Sequence, residues 1–358
     1  MPRKHMERAL PAILVLMTVA CPSVLSGCAT HRSVDLNRQT GGNAALFSQF
    51  RAYDAHTRRH MTFADLVERT SAADVVLFGE EHSDVVCNAL EAQLLAALAQ
   101  RQRPMTLAME FFEIDTQAAL DAYLAGRLAE DEFRKLTRQK RAYPLAHRPL
   151  IEYCRSASIP VIAANAPSRL VRAFRLSGKP YDEFCRGLEP GDRALLPPTS
   201  KLLTGRYYDQ FVEAMADHIT VAPASTQPTT SSPASAPSTQ PDRTERLLRS
   251  YRAQSLWDDS MADSVVSHRG RFPTRRVMLI VGGFHVSGQG GAKVKLSRRR
   301  PHDKIMTIVY RGVSNASLPF DNADRGIADV MIYGLKPPDE STLPNPVPTS
   351  TSAQAPTM

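Results

Sequence analysis

The chain has 358 residues, 43% hydrophobic and 22% charged, with 44 basic against 36 acidic side chains. That balance excludes a chain disordered throughout, and the length allows one large domain or two small ones. The net charge of +8 is scattered and interleaved with acids from Arg127 to Arg148, with no basic–aromatic repeat, so nucleic acid is not an expected partner and the charge supports only affinity for anionic surfaces or ligands.

Taken in chain order, the first signal is one of export. Arg3, Lys4 and Arg8 precede an apolar run, Leu10 to Val19, that is too short for a membrane span. It closes on Leu25-Ser-Gly-Cys28, which resembles a bacterial lipobox. The expectation is a signal peptide over residues 1–27, acylation of Cys28, and a mature chain tied to a membrane through residues 28–45. Ala29 follows the cysteine, a pattern similar to outer-membrane sorting, so the protein is expected in the bacterial cell envelope, lipid-anchored and facing the periplasm. Of the other cysteines, Cys87, Cys154 and Cys185 remain after cleavage. Three cannot all pair and their spacing is not that of a zinc site, so they read as small core residues with at most one disulfide.

The domain proper is expected over residues 46–334. Its first part should pack at a sheet edge, with Phe63, Leu66 and Val67 on one side of a short helix. Val75 to Phe78 is an apolar run of the kind buried on both faces of a parallel sheet. Gly79, Glu80, Glu81 and His82 end it, Ser83 and Asp84 offer helix caps, and Val86, Leu90, Leu94 and Leu98 recur at helical spacing. Further strands read at Met105–Glu110, Ile159–Ala164, Val277–Val281, Ile305–Tyr310 and Val330–Tyr333, separated by helical stretches. Residues 181–219 read as a smaller helical insertion subdomain. Residues 222–241 and 335–358 are rich in Pro, Ser and Thr and read as disordered. The fold class is therefore α/β, a mostly parallel sheet flanked by helices.

Four strands release a polar group at the carboxyl end: Glu80, Glu81 and His82, then Glu110, then Asn165, then His285. Parallel strands put all carboxyl ends on one edge, where ligands of open α/β sheets bind. These six residues are the expected ligand or metal cleft. Histidines and carboxylates converging there can bind a metal, move protons or ligate haem. The sequence has no G-x-S-x-G elbow, Walker loop or H-E-x-x-H, so none of those chemistries is expected. The glycines from Gly288 to Gly291 read as a mobile lip to the cleft.

Six blocks now stand in order: Gly79-Glu-Glu-His82, Leu107-Ala-Met-Glu110, His147-Arg-Pro-Leu150, Ile162-Ala-Ala-Asn-Ala-Pro167, Gln254-Ser-Leu-Trp-Asp-Asp-Ser-Met-Ala262 and Gly282-Gly-Phe-His285. Together they resemble the ChaN-like haem-binding lipoproteins of the haem-binding uptake/Tiki superfamily, over about Asp74 to Gly334. The resemblance implies haem as cofactor, a role in haem or iron uptake or storage, a homodimer, and an outer-membrane haem or iron receptor as partner. It also implies a tyrosine iron ligand, for which Tyr207 and Tyr208 are candidates, with His218 a further axial candidate in the same insertion. Where many relatives carry another histidine, this chain has Cys87 and Asn88. Relatives also resemble metal-dependent proteases and erythromycin-esterase-like hydrolases, so the alternative is a metal-dependent hydrolase holding a divalent metal in the same cleft. Arg148 stands one helical turn from Glu152 and is expected either to pair with it or to contact an anion.

Overall fold

In a computed structural model, residues 43–139, 143–219, 243–315 and 317–336 are described. Cys28, the signal segment, the loop at 222–241 and the chain beyond Lys336 lie outside the described residues. Eight strands form one sheet: β1 (Phe50–Asp54), β2 (His60–Met61), β3 (Val75–Glu80), β4 (Met105–Glu113), β5 (Val161–Asn165), β6 (Arg276–Gly282), β7 (Ile305–Val313) and β8 (Val330–Leu335). Their order is β2-β1-β8-β7-β3-β6-β4-β5. From β8 to β5 every neighbouring pair is parallel, while β1 is antiparallel to both β8 and β2.

The helices, in chain order, are α1 (Asn43–Ser48), α2 (Phe63–Ser71), α3 (Val85–Ala99), α4 (Gln117–Leu124), α5 (Glu130–Leu136), α6 (Arg148–Ser156), α7 (Ser168–Ser177), α8 (Tyr181–Arg186), α9 (Pro190–Arg193), α10 (Arg206–Ile219), α11 (Arg243–Arg271) and α12 (Gly291–Arg299). Among the described residues, none is long and apolar enough to cross a membrane.

β3 is buried along its whole length between β6 and β7. Alternation along it feeds two cores. Val76 and Phe78 pack with Leu90, Leu94 and Leu98 of α3 on one face, and Val75 and Leu77 with Met261, Val265 and Leu296 of α11 and α12 on the other. Each such side chain contributes roughly 1.5–3 kcal/mol when fully buried. This two-sided cover is why the central strands read as unbroken apolar runs.

The sheet edge holds what periodicity did not show. β1 buries Phe50, Ala52 and Asp54 on one face and on the other leaves Arg51 and Tyr53 half-buried, Tyr53 against Phe320 and Tyr333, a five-residue alternation too short and too polar to stand out. The expected helix beside it is α2, where Thr62 and Asp65 form a reciprocal capping box and Leu66 and Val67 are buried.

Asp54 closes the turn between β1 and β2. Its Oδ1 accepts the Thr57 amide at 2.7 Å and the His56 amide at 3.0 Å, and Arg69 of α2 pairs with Oδ2. Burial alone would raise this carboxyl, but the Thr57 amide and Arg69 outweigh it and bring the pKa down to about 2. A depressed carboxyl contributes stability above its unfolded pKa and loses it as pH falls through the folded value. Asp54→Asn is therefore expected to cost about 1–2 kcal/mol at pH 7. Chemical denaturation of both proteins should show the gap narrowing between about pH 4 and pH 2.

Candidate functional site

The two Gly-x-x-His elements end adjacent strands. In the β3–β6 register Gly79 lies opposite Val281 and Glu80 opposite Gly282. A Cβ on Gly79 would stand 2.9 Å from the Gly283 Cα, so only glycine lets the two turns approach this closely. The His82 ring folds back over Gly282, its Cε1 3.0 Å from where a Cβ would be built. Asp84 then caps α3, accepting the Val86 and Cys87 amides at 2.9 Å each. The next strand over is β4, whose pairing with β5 is irregular between Met109 and Glu113. Such an irregularity re-aims side chains, and here Glu110 Oε2 accepts the Gly282 amide at 2.7 Å.

Each histidine has one ring nitrogen held by a carboxylate. His82 Nδ1 donates to Glu80 Oε1 at 2.8 Å. His285 Nδ1 donates to Asp258 Oδ1 at 2.6 Å, and its Nε2 stands 3.6 Å from Glu110 Oε1. A third imidazole joins from the turn before α6, where His147 Nε2 donates to Glu80 Oε2 at 2.9 Å. Phe111 stacks on His147 with centroids 3.8 Å apart and meets His82 edge-on at 5.5 Å. The Glu80 hydrogen bond raises the His82 pKa, with burial working against it. Burial would likewise lower His285, but the Glu110 and Asp258 carboxylates overcome it and push the pKa to about 9. Burial would raise Glu80, and His147 and His82 together hold it below the usual carboxylate range.

A cavity of about 470 Å³ opens over this group, lined by Glu80, His82, Glu110, Phe111, His147, Asn165, Trp257 and His285 among others. A second, of about 510 Å³, lies where His82 and His285 meet Phe211, Met215 and Arg311. Both fall in the size range of ligand pockets. Imidazoles held this way can ligate an ion or pass a proton at Nε2.

The structure gathers most of the sequence candidates and places others elsewhere. Glu80, His82, Glu110, Asn165 and His285 line the first cavity. Glu81 lines the second cavity, where it accepts the Gly312 amide at 2.7 Å and pairs with Lys336 at 2.6 Å. Arg148 neither pairs with Glu152 nor faces the cleft, because Glu130 takes its Nε and Nη2 at 2.6 and 2.8 Å. Glu152 instead accepts the Tyr123 hydroxyl. Tyr207 is buried with its hydroxyl 2.5 Å from Asp258 Oδ2, and Tyr208 packs edge-on against Tyr251. The His218 side chain is outside the described residues.

The expected mobile lip is packed instead: a Cβ on Gly291 would fall 1.9 Å from Asp258 Oδ2. His268 is half-buried against Thr106, and burial among arginines lowers its pKa to about 4.

Sequence reasoning missed Asp258, His147 and Glu91 as site residues. The available signal was polar residues at apolar positions. Glu91 sits on the face of α3 that carries Leu90 and Leu94, and Asp258 on the face of α11 that carries Met261.

Comparison with known proteins now defines the class. The family described as haem-binding uptake, Tiki superfamily, ChaN matches residues 66–296, and this chain belongs to it. The solved structure of ChaN from Campylobacter jejuni, studied for cofacial haem binding, aligns at a TM-score of 0.55 and 17% identity, covering 79% of this chain and 96% of that one. That likeness shows the fold. An erythromycin esterase, EreC, in its open conformation aligns more loosely, at a TM-score of 0.41 and 10% identity, covering 80% of this chain and 83% of that one. In sequence, the chloroplastic protein RETICULATA-RELATED 5 of Arabidopsis thaliana is 26% identical over 117 residues, 30% of this chain. The match spans 15% of that plant protein's length.

The geometry makes Asp258 the group that orients His285. Asp258→Asn should lower the His285 pKa, read from its ring resonances in an NMR titration, while His82 keeps its raised value. An unmoved His285 would show that Glu110 alone sets its charge.

Proposed function

We propose that this chain is a membrane-anchored, ChaN-like lipoprotein that binds haem or iron for uptake or storage in the cleft at the carboxyl ends of β3, β4, β5 and β6. The observation that carries the reading is the pair of carboxylate-held imidazoles, His82 and His285, converging on one cavity in a chain of this family. His82 suits an iron ligand, since its Nδ1 is fixed and its side chain is 60% exposed. Phe111 and Trp257 give the cavity flat apolar walls. Tyr207 does not fit as iron ligand because Asp258 engages its buried hydroxyl. Bound haem would supply the redox-active iron, and the protein's part is to hold, orient and shield it. The exposed Val85, Leu136 and Leu145 adjoin in sequence the cavity residues Ser83, Thr137 and Ala146, and favour a homodimer joined across the cleft mouth. In this reading Cys28 carries the lipid that holds the protein at the outer membrane, facing the periplasm, where a haem or iron receptor is its partner.

A second reading, a metal-dependent hydrolase, is favoured by one observation. A histidine whose far nitrogen is fixed by a carboxylate is the usual setting of a metal-ligating imidazole. His82 and His285 are both so held, and Glu110 lies beside them.

Titrating purified protein with haem separates the two. A Soret band saturating at a fixed ratio is expected. The affinities of His82→Ala, His285→Ala and the double variant should show a coupling of roughly 0.5–3 kcal/mol. Additive losses would place the histidines in separate sites, and tight metal binding without a Soret band would favour the hydrolase. Cys28→Ser should move the protein from the membrane to the soluble fraction, and unchanged fractionation would remove the anchor.

A further inference from the structure

Beneath His82, three groups crowd together, of which Glu80 and His147 also line the cavity. Glu80, Glu91 and His147 each offer a ligand atom, all within 4.8 Å of one another, and all three residues are buried. The Glu80 and Glu91 side chains are in hydrogen-bond contact, and neither residue is more than 3% exposed. Two carboxylates in contact away from water cannot both stay ionised unless a cation or a proton lies between them. Two further polar side chains touch Glu91. Cys87 Sγ is 3.7 Å from Glu91 Oε1. Asn88 is 3% exposed, and its Nδ2 makes only a long contact, 3.4 Å, to Glu91 Oε2. The Asn88 carbonyl oxygen is buried with no partner, a cost of about 1–3 kcal/mol unless a donor or a cation meets it.

From this arrangement we propose that Glu80, Glu91 and His147 form a binding site for one divalent first-row transition ion, of the class of Mn²⁺ or Zn²⁺, with the Asn88 carbonyl as an added oxygen donor. The donor set is carboxylate, carboxylate, imidazole and amide oxygen, which suits such ions. Bonds of about 2.0–2.2 Å put neighbouring tetrahedral ligands roughly 3.4 Å apart, so ligand atoms spread within 4.8 Å draw together when the ion binds. Two carboxylate charges match a dication, which removes the need for a proton on Glu91. Entry is open, because Glu80 and His147 also line the cavity. The site is also wired to the cleft: an ion on Glu80 Oε2 leaves Oε1 holding His82 Nδ1. Metal load would then fix the orientation of His82. The site is distinct from the haem reading, because neither His82 nor His285 is among its ligands.

Metal alone tests it. Protein stripped with chelator is dialysed against Mn²⁺ or Zn²⁺ without haem, and bound ion is counted by elemental analysis alongside the melting temperature. About one ion per chain is expected, with a rise in melting temperature. Glu91→Gln and His147→Gln should each weaken binding at least tenfold, while His285→Ala binds as wild type. Should either variant fail to fold, the wild-type stoichiometry still decides. No ion on the wild type means that the cluster holds a proton and overturns the proposal. Binding lost in His285→Ala but kept in Glu91→Gln overturns it as well, by moving the ion to the cleft. The ion is counted without haem, so this proposal and the haem reading fail on separate measurements.

Discussion

Gly79 lies against Gly283 with no room for a methyl group between them, and the rest of the site depends on that approach. β3 and β6 are hydrogen-bonded neighbours, so their carboxyl-terminal turns compete for one space. Only because the turns nest can the His82 ring cover Gly282 and the Gly282 amide reach Glu110. The repeated Gly-x-x-His pattern is therefore one structural unit made from two distant segments. A side chain at Gly79 would push the strand ends apart and uncouple both histidines from one cavity.

Electrostatics follows from that packing. Burial penalises every charge in the site, and each is retained by a partner of opposite sign. Glu80 is held ionised by two imidazoles, and His285 is held protonated by Asp258 and Glu110. The outer layer is rigid as well. Tyr207 locks Asp258 from below, and Gly291 packs where any side chain would collide with the Asp258 carboxylate. Nδ1 of both histidines is thus fixed by a group that is itself fixed, which leaves Nε2 as the reactive position.

Much of the architecture was legible in the sequence. The parallel strands after β2 announced themselves because a strand covered on both faces must be apolar throughout, as Val75 to Phe78 and Val277 to Val281 are. The cap at Asp84 and the helix after it followed from local chemistry. β1 escaped because its inward face is Phe50, Ala52 and Asp54, and a buried acid spoils the alternation that periodicity looks for. The family blocks were legible too, since they sit at strand ends where backbone geometry restricts the residue type.

By itself the sequence determined which strands would be central, that their polar ends would share an edge, and that Glu80, His82, Glu110 and His285 would converge. Those results need only strand direction and the rule that parallel strands end together. Tertiary structure alone decided where each side chain points. Glu81 and Glu80 are neighbours in sequence, yet alternation along the extended chain sends one to Lys336 and buries the other beneath two imidazoles. Arg148 met Glu130 rather than Glu152, and Tyr207 was claimed by Asp258, because the nearest partner in space came from another helix. Glu91, His147 and Asp258 became site residues for the same reason. Locally such a residue shows only as a polar group at an apolar position, and the fold alone shows what stands opposite it.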